Sequence, residues 1–147
     1  MIKTRLVIAV TTLILLAIIA GACAAETEDT DTLQDITWIL ESYGEEGNLH
    51  DVLEGTEITA IFDKNENLVH GSSGCNSYGG QYDINKNRIT ITEVYCTEMA
   101  CLEPEGIMEQ EQQYLGILPA SETYEIKNGK LLITAGDRLL IFEDSEE

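Results

Sequence analysis

Beyond residue 34 the chain falls into short runs of alternating apolar and polar residues separated by polar turns. Glu57–Asp63 (EITAIFD) places Ile58, Ala60 and Phe62 on one side by strict alternation, the period of a strand with one buried face. The same pattern predicts strands over 35–42, 67–71, 78–84, 88–94, 123–127, 130–135 and 138–143. Asn128-Gly129 is a two-residue hairpin signal, because both positions tolerate positive φ, and Gly136-Asp137 is a similar tight turn. The last three strands are therefore expected to form a meander. Asp63–Asn67 and Asn85–Asn87 supply the polar loops between earlier runs.

One stretch changes period. Ile107, Met108, Tyr114, Leu115 and Leu118 share a face at helical spacing, and Pro119 ends the run. Pro104 is placed for the first helical turn, with Glu103 and Glu105 favoured by the N-terminal dipole. Such a stripe is expected to cover the open end or side of a sheet. About eight short strands and one covering α-helix predict a mainly β fold, a small barrel-like antiparallel sheet.

The N-terminus carries a different pattern. Met1 to Arg5 is basic, and Leu6 to Ala22 is a 17-residue apolar stretch ending in small residues, as in a secretory signal peptide. Ile18-Ile19-Ala20-Gly21-Ala22-Cys23 resembles a prokaryotic lipobox, which implies lipidation of Cys23 and an exported, membrane-anchored chain facing the periplasm or cell exterior. It departs from that pattern in placing Ala20, not a branched residue, three positions before the cysteine. Ordinary cleavage and an uncleaved anchor are the rival readings. The expected division is a signal peptide over 1–22, a lipid-anchored acidic linker over 23–34 and one domain over 35–147.

Charge narrows the partners. Without Lys3 and Arg5 the mature chain has six cations against 27 acids, a net −21. Phosphate recognition rests on Lys and Arg, so nucleic acid is excluded as a partner. The acidity itself reads as solubility or adaptation to salt in preference to an acidic binding patch.

Cys75, Cys96 and Cys101 remain after Cys23, and an exported chain permits one disulfide among them. Zinc, with His50 or His70 as a fourth ligand, is disfavoured by the wide Cys96–Cys101 spacing and unpaired histidines, so no metal or other cofactor is expected. Two Asp-x-Asn segments starting at Asp63 and Asp83 begin like calcium loops but lack the required glycine and terminal glutamate. The glycine-dense segment 71–80 lacks a phosphate-loop ending and precedes a strand, so its glycines are expected to serve bends and bulges. Asn76 within it suits a fold determinant as readily as a ligand contact. Cys75 with His70 would suggest a thiol nucleophile, and Ser72 or Ser73 with His70 a hydrolase, but no nucleophile elbow or ordered triad partner accompanies them, so no catalytic residues are assigned.

Taken together, three clusters resemble the META domain family. They are Trp38-x-Leu40, then Gly71-x-x-Gly74-Cys75-Asn76-x-Tyr78-x-Gly80-x-Tyr82, then Thr97-x-Met99-Ala100-Cys101. The closing strands continue the match with Tyr124-x-Ile126, Leu131-x-Ile133 and Leu140-x-Phe142. The resemblance implies a small barrel-like β fold with one helix, often borne by envelope lipoproteins and in some members associated with heat response, drug tolerance or motility. It implies no catalytic residues. Its two cysteine positions fall on Cys75 and Cys101, which implies that these pair, with Cys96 the departure and an alternative partner for either. The expected function is a non-enzymatic, surface-tethered envelope module acting by binding, its partners a membrane through the lipid and an envelope protein. A lipocalin-like small-ligand carrier, an inhibitor or chaperone of another envelope protein, and an enzyme of unknown type are the rivals.

Overall fold

In the computed structural model, residues 33–145 are described, and they form a mainly β fold with nine antiparallel strands and one α-helix among them. The strands are β1 (Thr37–Glu45), β2 (Asn48–Asp51), β3 (Thr59–Asp63), β4 (Leu68–Ser72), β5 (Ser77–Asn85), β6 (Arg88–Cys96), β7 (Thr123–Lys127), β8 (Lys130–Ala135) and β9 (Arg138–Asp144). The helix α1 (Ile107–Ile117) lies between β6 and β7 and runs into a 3-10 turn over Leu118–Ala120. The sheet order is β2-β1-β3-β4-β5-β6-β7-β8-β9, and a further β1–β9 pairing closes the ring. The signal peptide, Cys23 and most of the expected linker lie outside the described residues.

Alternation decides which residues fill the ring. Ala60 and Phe62 of β3, Ile89 and Ile91 of β6, Leu131 and Ile133 of β8, and Leu140 and Phe142 of β9 all turn inward. In β1 the parity changes: Trp38 and Leu40 are buried, then Tyr43. The register against β9 shifts between Leu40 and Ser42, so a bulge inserts one residue and returns Tyr43 to the interior. A second irregularity lies between β5 and β6, where Glu93 takes a positive φ of 52°. The hairpin at Asn128-Gly129 has both residues at positive φ, and β7, β8 and β9 form the meander.

Four features differ from the pattern-based expectation. β2 was absent from it, because Asn48–Asp51 is exposed throughout and carries no alternation to detect. β1 begins at Thr37 rather than Asp35 and extends to Glu45, since its second half pairs with both β2 and β9. Packing begins before residue 35: Leu33 is completely buried, and its carbonyl accepts the Trp38 indole N–H at 3.0 Å. Finally, α1 begins after Gly106, which caps it with φ 92°, and not at Pro104. Its buried face is Ile107, Gln110, Glu111, Tyr114 and Ile117, while Met108 and Leu115 are only partly covered.

Candidate functional site

The motif residues of the Gly74-Cys75-Asn76 and Thr97-x-Met99-Ala100-Cys101 clusters meet at one place, where the loop between β4 and β5 faces α1 and the segment after β6. Gly74 takes φ 106°, a conformation that favours glycine, and this turns the chain so that Ser73 and Asn76 point into the protein. Both side chains are buried and meet Glu111, buried on α1. The Asn76 backbone N–H donates to Glu111 Oε2 at 2.8 Å and its Nδ2 donates to Oε1 at 2.7 Å. The Ser73 hydroxyl lies 2.6 Å from Oε2. A carboxylate taken out of water needs such donors, and here three of them hold it without an ion pair among the described residues.

Asn76 also reaches the opposite way. Its Oδ1 accepts the Thr97 hydroxyl at 2.7 Å and the Met99 N–H at 2.8 Å, and its Nδ2 donates to the Met99 carbonyl at 3.0 Å. The Asn76 carbonyl takes the Ser73 N–H at 2.7 Å. Every donor and acceptor of this residue is therefore used; only a primary amide offers this set, and glutamine would place it one methylene further from the backbone. The Cys75–Cys101 disulfide, with Cα atoms 5.9 Å apart, ties the same loop to the end of the same segment.

Around this joint the strands are closely fitted. The Tyr78 hydroxyl donates to the Thr59 carbonyl at 2.9 Å and lies 2.6 Å from the Tyr114 hydroxyl. Burial raises both phenols above the usual tyrosine range. At Gly80 a side chain would press on the Thr92 carbonyl and on Val94, so the bulge of β6 packs directly on backbone. Trp38 lies in the core, remote in role from this joint but part of the same packing.

What the joint presents outward is apolar. Tyr95 is 66% exposed, Met99 57% and Leu102 89%; among the described residues the other exposed large apolar side chain is Leu49. Cys96, in the same segment, is an exposed free thiol. The combinations that sequence allowed for catalysis come apart. Cys75 is in the disulfide, Ser73 serves Glu111, and the Ser72 hydroxyl donates to the Glu57 carbonyl. His70 is exposed on β4, and no hydrogen bond joins it to any of them among the described residues. With two of the three sulfurs bonded to each other, no His/Cys/Asp/Glu cluster suited to a metal occurs among the described residues.

Two open clefts lie elsewhere, between β2 and α1. The larger, about 450 Å³, has Leu49, His50 and Asp51 on the strand side and Glu109, Gln110 and Gln113 on the helix side. The smaller, about 240 Å³, shares His50 and Gln113 and extends to Glu45 and Arg138. The loop after β2 is fixed there by Gln110, whose Oε1 accepts the Leu53 N–H at 2.7 Å and whose Nε2 donates to the Thr56 hydroxyl at 3.0 Å. The ring interior, by contrast, is filled by Trp38, Phe62, Tyr82, Ile89 and Ile91, all buried, which argues against an apolar ligand held inside the barrel.

Sequence reasoning missed Glu111 and Gln110. Their one signal is position: each interrupts the apolar stripe of α1 between Ile107 and Tyr114, which marks a polar residue facing inward.

Comparison with known proteins gives the family and the fold. A family model described as META domain matches residues 31–146. No curated protein matches this chain. An NMR structure of a protein from Burkholderia xenovorans superposes with a TM-score of 0.65 at 23% identity, covering 80% of this chain and 86% of that one. A second NMR structure gives 0.60 at 18% identity, over 77% and 92% of the two chains. A crystal structure of a DUF4847 family protein from Bacteroides vulgatus gives 0.56 at 11% identity, over 80% and 97%. At these identities the likeness is one of fold.

Proposed function

The chain belongs to the META domain family, and on that premise we propose that it is a non-enzymatic binding module of the cell envelope, tethered to a membrane by a lipid on Cys23 and engaged with an envelope protein in a stress-related role. One observation carries the binding role: Met99 and Leu102 are exposed on an irregular segment that the Asn76 network and the Cys75–Cys101 disulfide hold rigid. Apolar side chains kept outside at the cost of solvation, on a framework that removes their ordering entropy, suit a protein partner. The absence of catalysis is supported by the engagement of Cys75 and Ser73 in structural bonds. The net negative charge, and an N-terminal sequence that reads as an export signal, are consistent with the envelope.

The test is site-specific photocrosslinking in cells from position 102, with Cys23→Ser and Met99→Asp/Leu102→Asp as comparisons. The reading expects a defined crosslinked protein that disappears in the double aspartate variant, and a membrane-fraction mass increased by acyl chains at Cys23. A crosslink pattern unchanged by the aspartates would overturn the binding surface, and an unacylated Ala25 or Met1 terminus would overturn the anchor.

A further inference from the structure

β2 is the terminal strand of the sheet order, and among the described residues it pairs with β1 alone. Antiparallel strands alternate between pairs that exchange hydrogen bonds and pairs that do not. The Val52 N–H donates to the Glu41 carbonyl at 3.0 Å, and in the observed register this makes Tyr43–His50 and Glu45–Asn48 the bonded pairs. The N–H and C=O groups of Leu49 and Asp51 therefore point away from β1. Leu49, His50 and Asp51 all border the larger cleft. Tyr43 of β1, paired with His50, borders it too, so the cleft opens over the α1-facing side of the β1–β2 pair, and the lining by Leu49 and Asp51, of the opposite parity, carries it to the outer edge of β2. Across it stands α1, with Glu109 and Gln113.

We propose that this edge and the facing side of α1 form a cradle for an extended basic segment of another protein, which joins the sheet as a strand beside β2. Strand addition draws affinity from main-chain hydrogen bonds and specificity from alternate side chains. The cleft volume, about 450 Å³ with a further 240 Å³ continuing past His50 and Gln113, is that of a ligand groove. Charge chooses the occupant. Asp51 and Glu109 border opposite walls, Glu45 lines the extension, and Arg138 borders only the smaller cleft. Short, charged edges ordinarily protect a sheet from pairing. Here the charge is negative, on a chain of net −19, so it repels a second copy and admits a strand carrying Lys or Arg. This surface is separate from the Met99–Leu102 segment and does not rest on it.

The probe is a fluorescein-labelled, end-capped Lys-Val-Lys-Val-Lys-Val peptide titrated against the full-length chain by anisotropy. Its comparators are a Glu-Val peptide of equal length and a fully N-methylated Lys-Val peptide, which keeps the charge and loses every backbone donor. The proposal expects saturable binding of the Lys-Val peptide, no binding of the Glu-Val peptide, and at least about tenfold weaker binding after N-methylation, from the loss of two or more hydrogen bonds. Leu49→Pro removes an outward N–H while leaving the β1 bonds, and Glu109→Lys reverses one wall; each is expected to weaken binding about tenfold. Should Leu49→Pro fail to fold by circular dichroism, the N-methylated peptide on the unaltered chain makes the same test. Absent Lys-Val binding, equal affinity for the N-methylated peptide, or equal affinity for the Glu-Val peptide would each overturn the proposal.

Discussion

Asn76 donates to both oxygens of Glu111, through its backbone N–H and its Nδ2, so one residue of the Gly-Cys-Asn loop locks that loop onto α1. The same amide holds Met99 on its other side. Three segments far apart in sequence thus share one hydrogen-bonding residue, and its loss would leave a buried carboxylate short of donors.

Asn76→Asp is expected to destabilise the protein by about 3–5 kcal/mol, because it replaces a donor facing Glu111 with a second carboxylate. Glu111→Gln in the same chain should recover part of that loss. Urea unfolding of the two single variants and the double variant gives the coupling energy directly, and additive losses would show that the two residues do not act together.

Reduction of the Cys75–Cys101 bond should cost about 3.5 kcal/mol on the loop-entropy relation, for a sequence separation of 26. The measurement is urea unfolding with and without reductant, with Cys75→Ser/Cys101→Ser as the reference. Met99 and Leu102 should remain exposed in the folded state while their backbone amides exchange faster, since the disulfide anchors only the far end of that segment.

Alkaline pH should weaken the fold through Tyr78 and Tyr114. Burial raises both folded-state pKa values above the ordinary 10.0, so the unfolded chain releases these protons first. Their stabilising contribution is complete below pH 10 and declines as pH rises above it, by up to about 1.4 kcal/mol per pH unit for each tyrosine. Tyr78→Phe/Tyr114→Phe should flatten that slope, followed by unfolding between pH 9 and 12 with phenolate absorbance recorded alongside.

Leu33→Ala should cost about 2–5 kcal/mol, since Leu33 is completely buried. A chain beginning at residue 35 should lose at least as much, because the Trp38 indole also loses its carbonyl acceptor. Thermal melts of both variants check this, and wild-type stability in either would place the domain boundary after Gln34.

The sequence by itself determined the fold class, the family and most strands, because a two-residue alternation such as Ile58-Ala60-Phe62 is a local consequence of having one buried face. It also carried the hairpin at Asn128-Gly129, where the turn chemistry is local. Tertiary structure alone decided the rest. β2 has no buried face of its own and exists because β1 extends past β3 and offers a free edge. Leu33 reads as part of an acidic linker until Trp38 takes its carbonyl. Glu111 looks like one acid among 27, and becomes the anchor of the joint only when folding brings it to Ser73 and Asn76. The physical reason is common to all three. Alternation and turn chemistry act between neighbours in the chain, whereas a buried polar group or an edge strand is satisfied by partners that only the closed ring brings within hydrogen-bonding distance.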